Sequence, residues 1–126
     1  MIRYLSAADI YVINEKIVGH RPNVRDRKLL RSAADRPAIR VFGEEQFPTL
    51  LDKAAAILHS IAYHHLFSDG NKRTAREAVI LFLEANGYQH TWQADEAQAF
   101  ILEVAQGTHE VEVISEWLAT YTPPVE

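Results

Sequence analysis

Thirteen consecutive residues carry most of the chemistry this chain can offer: His64-His65-Leu66-Phe67-Ser68-Asp69-Gly70-Asn71-Lys72-Arg73-Thr74-Ala75-Arg76. Asp69-Gly70-Asn71 reads as a turn leading into a helix start. That helix runs from about Asn71 to Asn86 and is closed by Gly87. Lys72, Arg73 and Arg76 then fall in its first turn or just beyond. A helix N-terminus carries partial positive charge and favours acids, so each cation there costs a few tenths of a kcal/mol. The arrangement makes sense if an anion binds among the cations, with the free N–H groups forming a nest around it. The competing reading is a solvated first turn whose cost Asp69 offsets.

The preceding segment, Thr49 to Leu66, has Leu51, Ala54, Ala55, Leu58, Ile61 and Ala62 at helical spacing. His65 continues that stripe, so it is expected to point inward, facing the polar turn, while His64 falls to one side near Ser60 and Lys53. Phe67 is the expected apolar anchor of the loop. A zinc site built from His59, His64, His65 and Asp69 is disfavoured. At about 100° per residue, His59 and His64 lie roughly 140° apart, and no Glu or Cys completes a closed set.

His65-Leu66-Phe67-Ser68-Asp69-Gly70-Asn71-Lys72-Arg73 resembles the motif of the Fic/Doc family, His-x-Phe-x-Asp/Glu-Gly-Asn-Gly/Lys-Arg. Lys72, where most Fic sequences have Gly, followed by Arg-Thr-Ala, is similar to the death-on-curing (Doc) toxin branch. The resemblance implies nucleotide chemistry on a protein hydroxyl. Fic enzymes commonly transfer AMP; Doc toxins transfer the γ-phosphate of ATP to a threonine of elongation factor Tu and stop translation. On that resemblance His65 is the general base. Asp69 holds Mg²⁺. Gly70, Asn71 and Lys72 offer N–H groups to phosphate, Lys72 and Arg73 neutralise the moving charge, and catalysis is mostly positioning plus electrostatics. Arg76 stands where the AMP-transferring motif has its second Arg, which keeps AMP transfer as the alternative. Lys72 would crowd the groove of the α-phosphate and favours phosphate transfer.

The family's inhibitory Ser/Thr-x-x-x-Glu-Gly/Asn motif is not found. The nearest match, Thr108-His109-Glu110-Val111-Glu112, is followed by Val113. Restraint is therefore expected from another chain, a Phd-like antitoxin whose disordered segment folds onto the toxin. A non-catalytic relative is disfavoured because His65, Asp69, Asn71 and Arg73 are all present.

The elements that must position these residues follow from the rest of the chain. Its 126 residues suit one domain, 1–126, with a core of its own. Cysteine is absent, which excludes a disulfide framework and thiolate zinc. No apolar run approaches the ~20 residues of a membrane span, and the first residues show no signal-peptide pattern; a cytoplasmic protein is expected. A net charge of −4 argues against general nucleic-acid binding. Seven of the 13 Lys and Arg lie between Arg21 and Arg40, while nine acids and no cation follow Arg76. That asymmetry fits either a charged partner or two solvated faces.

Ser6 caps a helix over about 7–18 with Asp9 completing a capping box, and Gly19 closes it. A basic helix over about 26–35 ends at Arg36-Pro37. Residues 38–47 are too apolar for a free loop; a short extended piece or a loop packed under its aromatics both fit. In the family this segment is a flap that holds the target by strand addition. Helices are expected at 48–65, with Pro48 at its start, and at 71–86, whose run Ala78–Leu83 is apolar on all sides. Two more follow, at 94–106 and, capped by Thr108, at 109–120. Residues 122–126 read as a frayed tail. The expected architecture is all-α, a Fic/Doc-like domain of about six helices with a short flap.

Overall fold

The computed structural model describes residues 1–125. Within them lie helices α1 (Ala7–Val18), α2 (Arg27–Asp35), α3 (Leu50–Tyr63), α4 (Asn71–Ala85), α5 (Ala94–Ala105) and α6 (Val111–Tyr121). A 3-10 turn (Arg36–Ala38) follows α2, and strands β1 (Arg40–Val41) and β2 (Glu44–Glu45) form a hairpin before α3. The all-α expectation holds. No helix among the described residues is long and apolar enough to cross a membrane.

The helix starts are set by side chains that satisfy the first free amides. Ser6 and Asp9 form the expected capping box on α1, and Thr49 and Asp52 form another on α3. Asp26 accepts from Lys28 and Leu29 to start α2. Asp52 also accepts the Ser115 hydroxyl at 2.7 Å, which fastens the start of α3 to α6. Helix α3 therefore begins after Pro48 rather than at it. The last helix starts at Val111 with Glu110 as N-cap, not after Thr108.

Helix α3 is the centre of the molecule and packs against α2, α4, α5 and α6. Ala54, Ala55, Ala56, Ile57, Leu58, Ile61 and Ala62 are all buried. Three successive alanines let neighbours close on several sides at once, which a single apolar stripe would not allow. Helix α4, expected to be apolar all round, is not: Leu81 is 44 % exposed. The all-round burial belongs to the helix before the motif.

A lysine lies inside this core. Lys53 is 0 % exposed, and its ammonium donates to the Phe47 carbonyl at 2.5 Å, Glu45 Oε1 at 3.0 Å and the Pro37 carbonyl at 3.3 Å. Three acceptors saturate the three donors of an ammonium, which is the condition for burying one. The hydrogen bond and charge of Lys53 hold the Glu45 carboxyl below the usual carboxylate range. The expectation of a short extended piece at 38–47 is met by the hairpin, pairing Arg40 with Glu45 and Val41 with Glu44. Its turn has positive φ at Phe42 (51°) and Gly43 (79°), as a two-residue turn with the right twist needs.

Both ends of the described chain meet the end of α4. The Arg3 amide and carbonyl pair with the Asn86 side chain at 2.8 and 3.0 Å, and the Val125 amide donates to the Gly87 carbonyl at 2.7 Å. Thr122 is buried and accepts from Trp92 Nε1 at 3.1 Å. Residues 122–125 are thus held in place rather than frayed; Glu126 lies outside the described residues.

Candidate active site

The motif loop is fastened from four directions. Phe67 is buried beneath it, as expected of an anchor, and Leu66 beside it. From outside, residues 23–25 pair with it: the Arg25 amide donates to the Leu66 carbonyl at 2.8 Å and the Ser68 amide to the Asn23 carbonyl at 3.0 Å. From within, Asn71 spans the loop, accepting from the Phe67 amide at 3.0 Å and donating to the Phe67 carbonyl at 2.7 Å. From α1, Asn14 donates to the Asp69 carbonyl at 2.9 Å and to Thr74 Oγ1 at 3.1 Å.

His65 departs from the expectation. Helix α3 ends at Tyr63 with His64 as its cap, so the stripe cannot be extrapolated to residue 65. His65 has φ 48° and is exposed rather than turned into the core. A residue other than glycine in the left-handed region is uncommon, although histidine tolerates it better than most, and such residues gather at functional sites. Beside it, His64 packs edge-on against His59 and Tyr63. His59 Nδ1 accepts from Arg36 at 2.9 Å, which leaves its proton on Nε2. Burial, followed by the Arg36 charge, holds both His59 and His64 below the ordinary histidine value.

Gly70 turns the loop into α4 with φ 76°. A Cβ there would lie 3.0 Å from Val18 Cγ1 and 3.2 Å from Asn14 Nδ2, so glycine is required by both conformation and space. Its amide is taken by Asp69 Oδ1 at 2.8 Å. No side chain caps α4. The amides of Asn71, Lys72 and Arg73 therefore lack intrahelical partners. Lys72 and Arg73 are exposed and form no ion pair among the described residues, whereas Arg76 pairs with Glu77 at 2.7 Å.

Asp69, Gly70, Asn71, Lys72, Arg73 and Arg76 line one cleft of about 590 Å³. Its opposite wall is Ala94, Gln98, Ile101 and Leu102 of α5. The volume is that of a small-molecule site with convergent polar groups on one side and an apolar wall on the other. His65 is not part of the lining; it stands four residues before Asp69 on the exposed shoulder of the loop. Sequence reasoning found the cationic wall and missed the α5 wall, the 23–25 clamp and Asn14. Only Asn14 carried a signal, as a polar residue on the stripe Ile10, Ile13, Ile17. Among the described residues no group of three or more His, Asp or Glu side chains gathers as a metal site. A lone exposed carboxylate such as Asp69 suits Mg²⁺, which is held by one or two carboxylates plus substrate phosphates.

An uncapped, cation-rich helix start behind a histidine loop, on an all-α body with a hairpin flap, defines a class, and the chain belongs to it: residues 4–83 match the model of the Fic/DOC family. Within that family it is similar to Toxin Doc of Mycolicibacterium smegmatis, 38 % identical over 123 residues covering 96 % of this chain and 95 % of that protein. It is also similar to Protein kinase doc of Escherichia phage P1, 30 % identical over 117 residues covering 90 % of each.

Proposed function

We propose that this chain is a toxin that transfers the γ-phosphate of ATP to a Thr or Ser hydroxyl of a protein target, elongation factor Tu in the first instance. The observation that carries the reading is the cleft: three free amides and two cations without an ion pair among the described residues, at the start of α4, face a mostly apolar wall. The target hydroxyl attacks the γ-phosphorus, the bond to the β-phosphate oxygen breaks, and ADP leaves. His65, exposed and free to reach an incoming side chain, takes the hydroxyl proton. Lys72 and Arg73 balance the charge that spreads over the transferred group. Asp69 would hold Mg²⁺, which supplies charge neutralisation on the phosphates when bound. The Asn71 side chain is spent on Phe67, so its contribution to phosphate is its backbone amide.

Phosphate transfer is favoured over AMP transfer because Lys72, which forms no ion pair among the described residues, would crowd the groove of the α-phosphate, while Arg76, the residue of the AMP reading, has Glu77 as a partly exposed partner. The named relatives are a toxin and a protein kinase, which supports the same reading. A toxin of this kind needs a cognate antitoxin, Phd-like in the sense of a segment that folds on binding. Intact-mass analysis of elongation factor Tu after incubation with the chain, ATP and Mg²⁺ tests the proposal, with His65→Ala as control. One added phosphate, absent in the control, is the expected result. An added adenylate refutes phosphate transfer, and an unmodified factor refutes the target.

A further inference from the structure

We infer that Asn14, on α1 and outside the motif, is a positioning residue for the anion-binding turn. It is 1 % exposed on a helix face otherwise made of isoleucines. Both its amide hydrogens go to the motif segment, one to the Asp69 carbonyl just before Gly70 and one to the Thr74 hydroxyl in the first turn of α4. These two points bracket the free amides of Asn71, Lys72 and Arg73. Thr74 is itself fully buried, and its amide donates to the Gly70 carbonyl at 2.8 Å. One side chain therefore sets the distance between the two ends of the nest and the direction in which its amides point. Gly70 packs against the same amide, since a Cβ there would lie 3.2 Å from Asn14 Nδ2.

Asn14 Oδ1 is buried and has no partner among the described residues. A buried amide oxygen left unpaired costs stability, so the value of this side chain lies in what its two N–H groups hold. It gives up its acceptor so that its donors can hold the turn. Leucine, of similar size, would fill the space and remove the orphaned oxygen, but would leave the Asp69 carbonyl and the Thr74 hydroxyl without that donor. Asn14 thus does more than fill space: its two donors fix both ends of the anion-binding turn.

The inference rests on the proposed anion chemistry of the cleft, and its test separates the two. Wild type, Asn14→Leu and the core control Ile10→Val are titrated with inorganic pyrophosphate and, separately, with Mg·ATP. Amide hydrogen exchange of residues 70–74 is recorded in the unliganded proteins. Asn14→Leu is expected to lose about tenfold in affinity for both probes, the equivalent of one hydrogen bond. Its Thr74 amide exchanges faster, while Ile10→Val matches wild type. Should Asn14→Leu not fold, Asn14→Ser, which keeps one donor on a shorter arm, is held to the same expectation. Unchanged affinity in the Asn14 variant, or an equal loss in Ile10→Val, overturns the assignment. Wild type binding pyrophosphate but not Mg·ATP sinks the nucleotide reading alone and leaves Asn14 to be judged on pyrophosphate. Binding of neither overturns both.

Discussion

Replacing Lys53 by Met removes a buried ammonium while keeping most of its stem. The wild-type ammonium has three acceptors, the carbonyls of Phe47 and Pro37 and the Glu45 carboxylate. Methionine leaves the two carbonyls without that donor. Hydrogen bonds to a charged group contribute about 1.5–3 kcal/mol each, and breaking a buried ion pair by removing one partner costs about 3–5 kcal/mol. Glu45 keeps 32 % of its side chain in solvent and can rehydrate, so the lower part of the range applies. The desolvation of the ammonium itself, recovered in the variant, subtracts further. A net loss of about 2–3 kcal/mol remains, equivalent to a fall in Tm of roughly 10 °C for a domain of this size. Urea denaturation gives the free energy. Tryptic cleavage after Arg40 reports whether the hairpin has come loose, since it is tied to α3 largely through this residue. A Lys53→Met protein as stable as wild type, with Arg40 equally protected, would show that the buried charge is a burden the core tolerates rather than a fastening.

Asn71→Ala breaks both bonds to Phe67 and is expected to cost about 1–3 kcal/mol, with a larger proportional loss of the proposed phosphate transfer, read by comparing Tm with initial rates. Phe42 is fully exposed at φ 51°, so Phe42→Asn, which tolerates that conformation, should raise stability by about 0.5–1 kcal/mol in urea melts. His59 and His64 have their pKa values lowered in the fold, first by burial and then by Arg36. The unfolded chain therefore takes up protons below about pH 6.5 that the fold resists, and stability present above that pH is lost as the pH falls. Tm should be lower at about pH 5.5 than at about pH 7.5, and His59→Gln, whose amide oxygen can still accept from Arg36, should flatten the difference.

The parts of the fold that could be read in advance are those fixed by local chemistry. Ser6 with Asp9, Gly19, and Gly70-Asn71 each bound a helix within a residue or two because a cap needs only its neighbours. The cationic wall was legible for the same reason. His65 was misjudged because a helical stripe says nothing once the helix stops, and α3 stops at Tyr63. The α5 wall depends on how Ala94 to Leu102 return across α4, which no local pattern encodes. Lys53 reads as a surface residue until Glu45, Phe47 and Pro37 are brought round it. Thr122 likewise belongs to a tail until Trp92, thirty residues away, donates to it.

Arg3 is bonded to Asn86, and Val125 to Gly87. Those two partners are consecutive, so the described ends lie side by side at the end of α4, a helix length away from the motif at its start. At about 1.5 Å per residue that separation is roughly 20 Å. A short glycine-serine bridge could join the two ends into a ring, and the exposed Phe42-Gly43 tip offers a place to reopen it. Such a circular permutant would keep every contact of the cleft while freeing one hairpin arm from chain connectivity. Whether β1 then still finds β2 would measure how much of the flap's order comes from its turn and how much from the lysine beneath it.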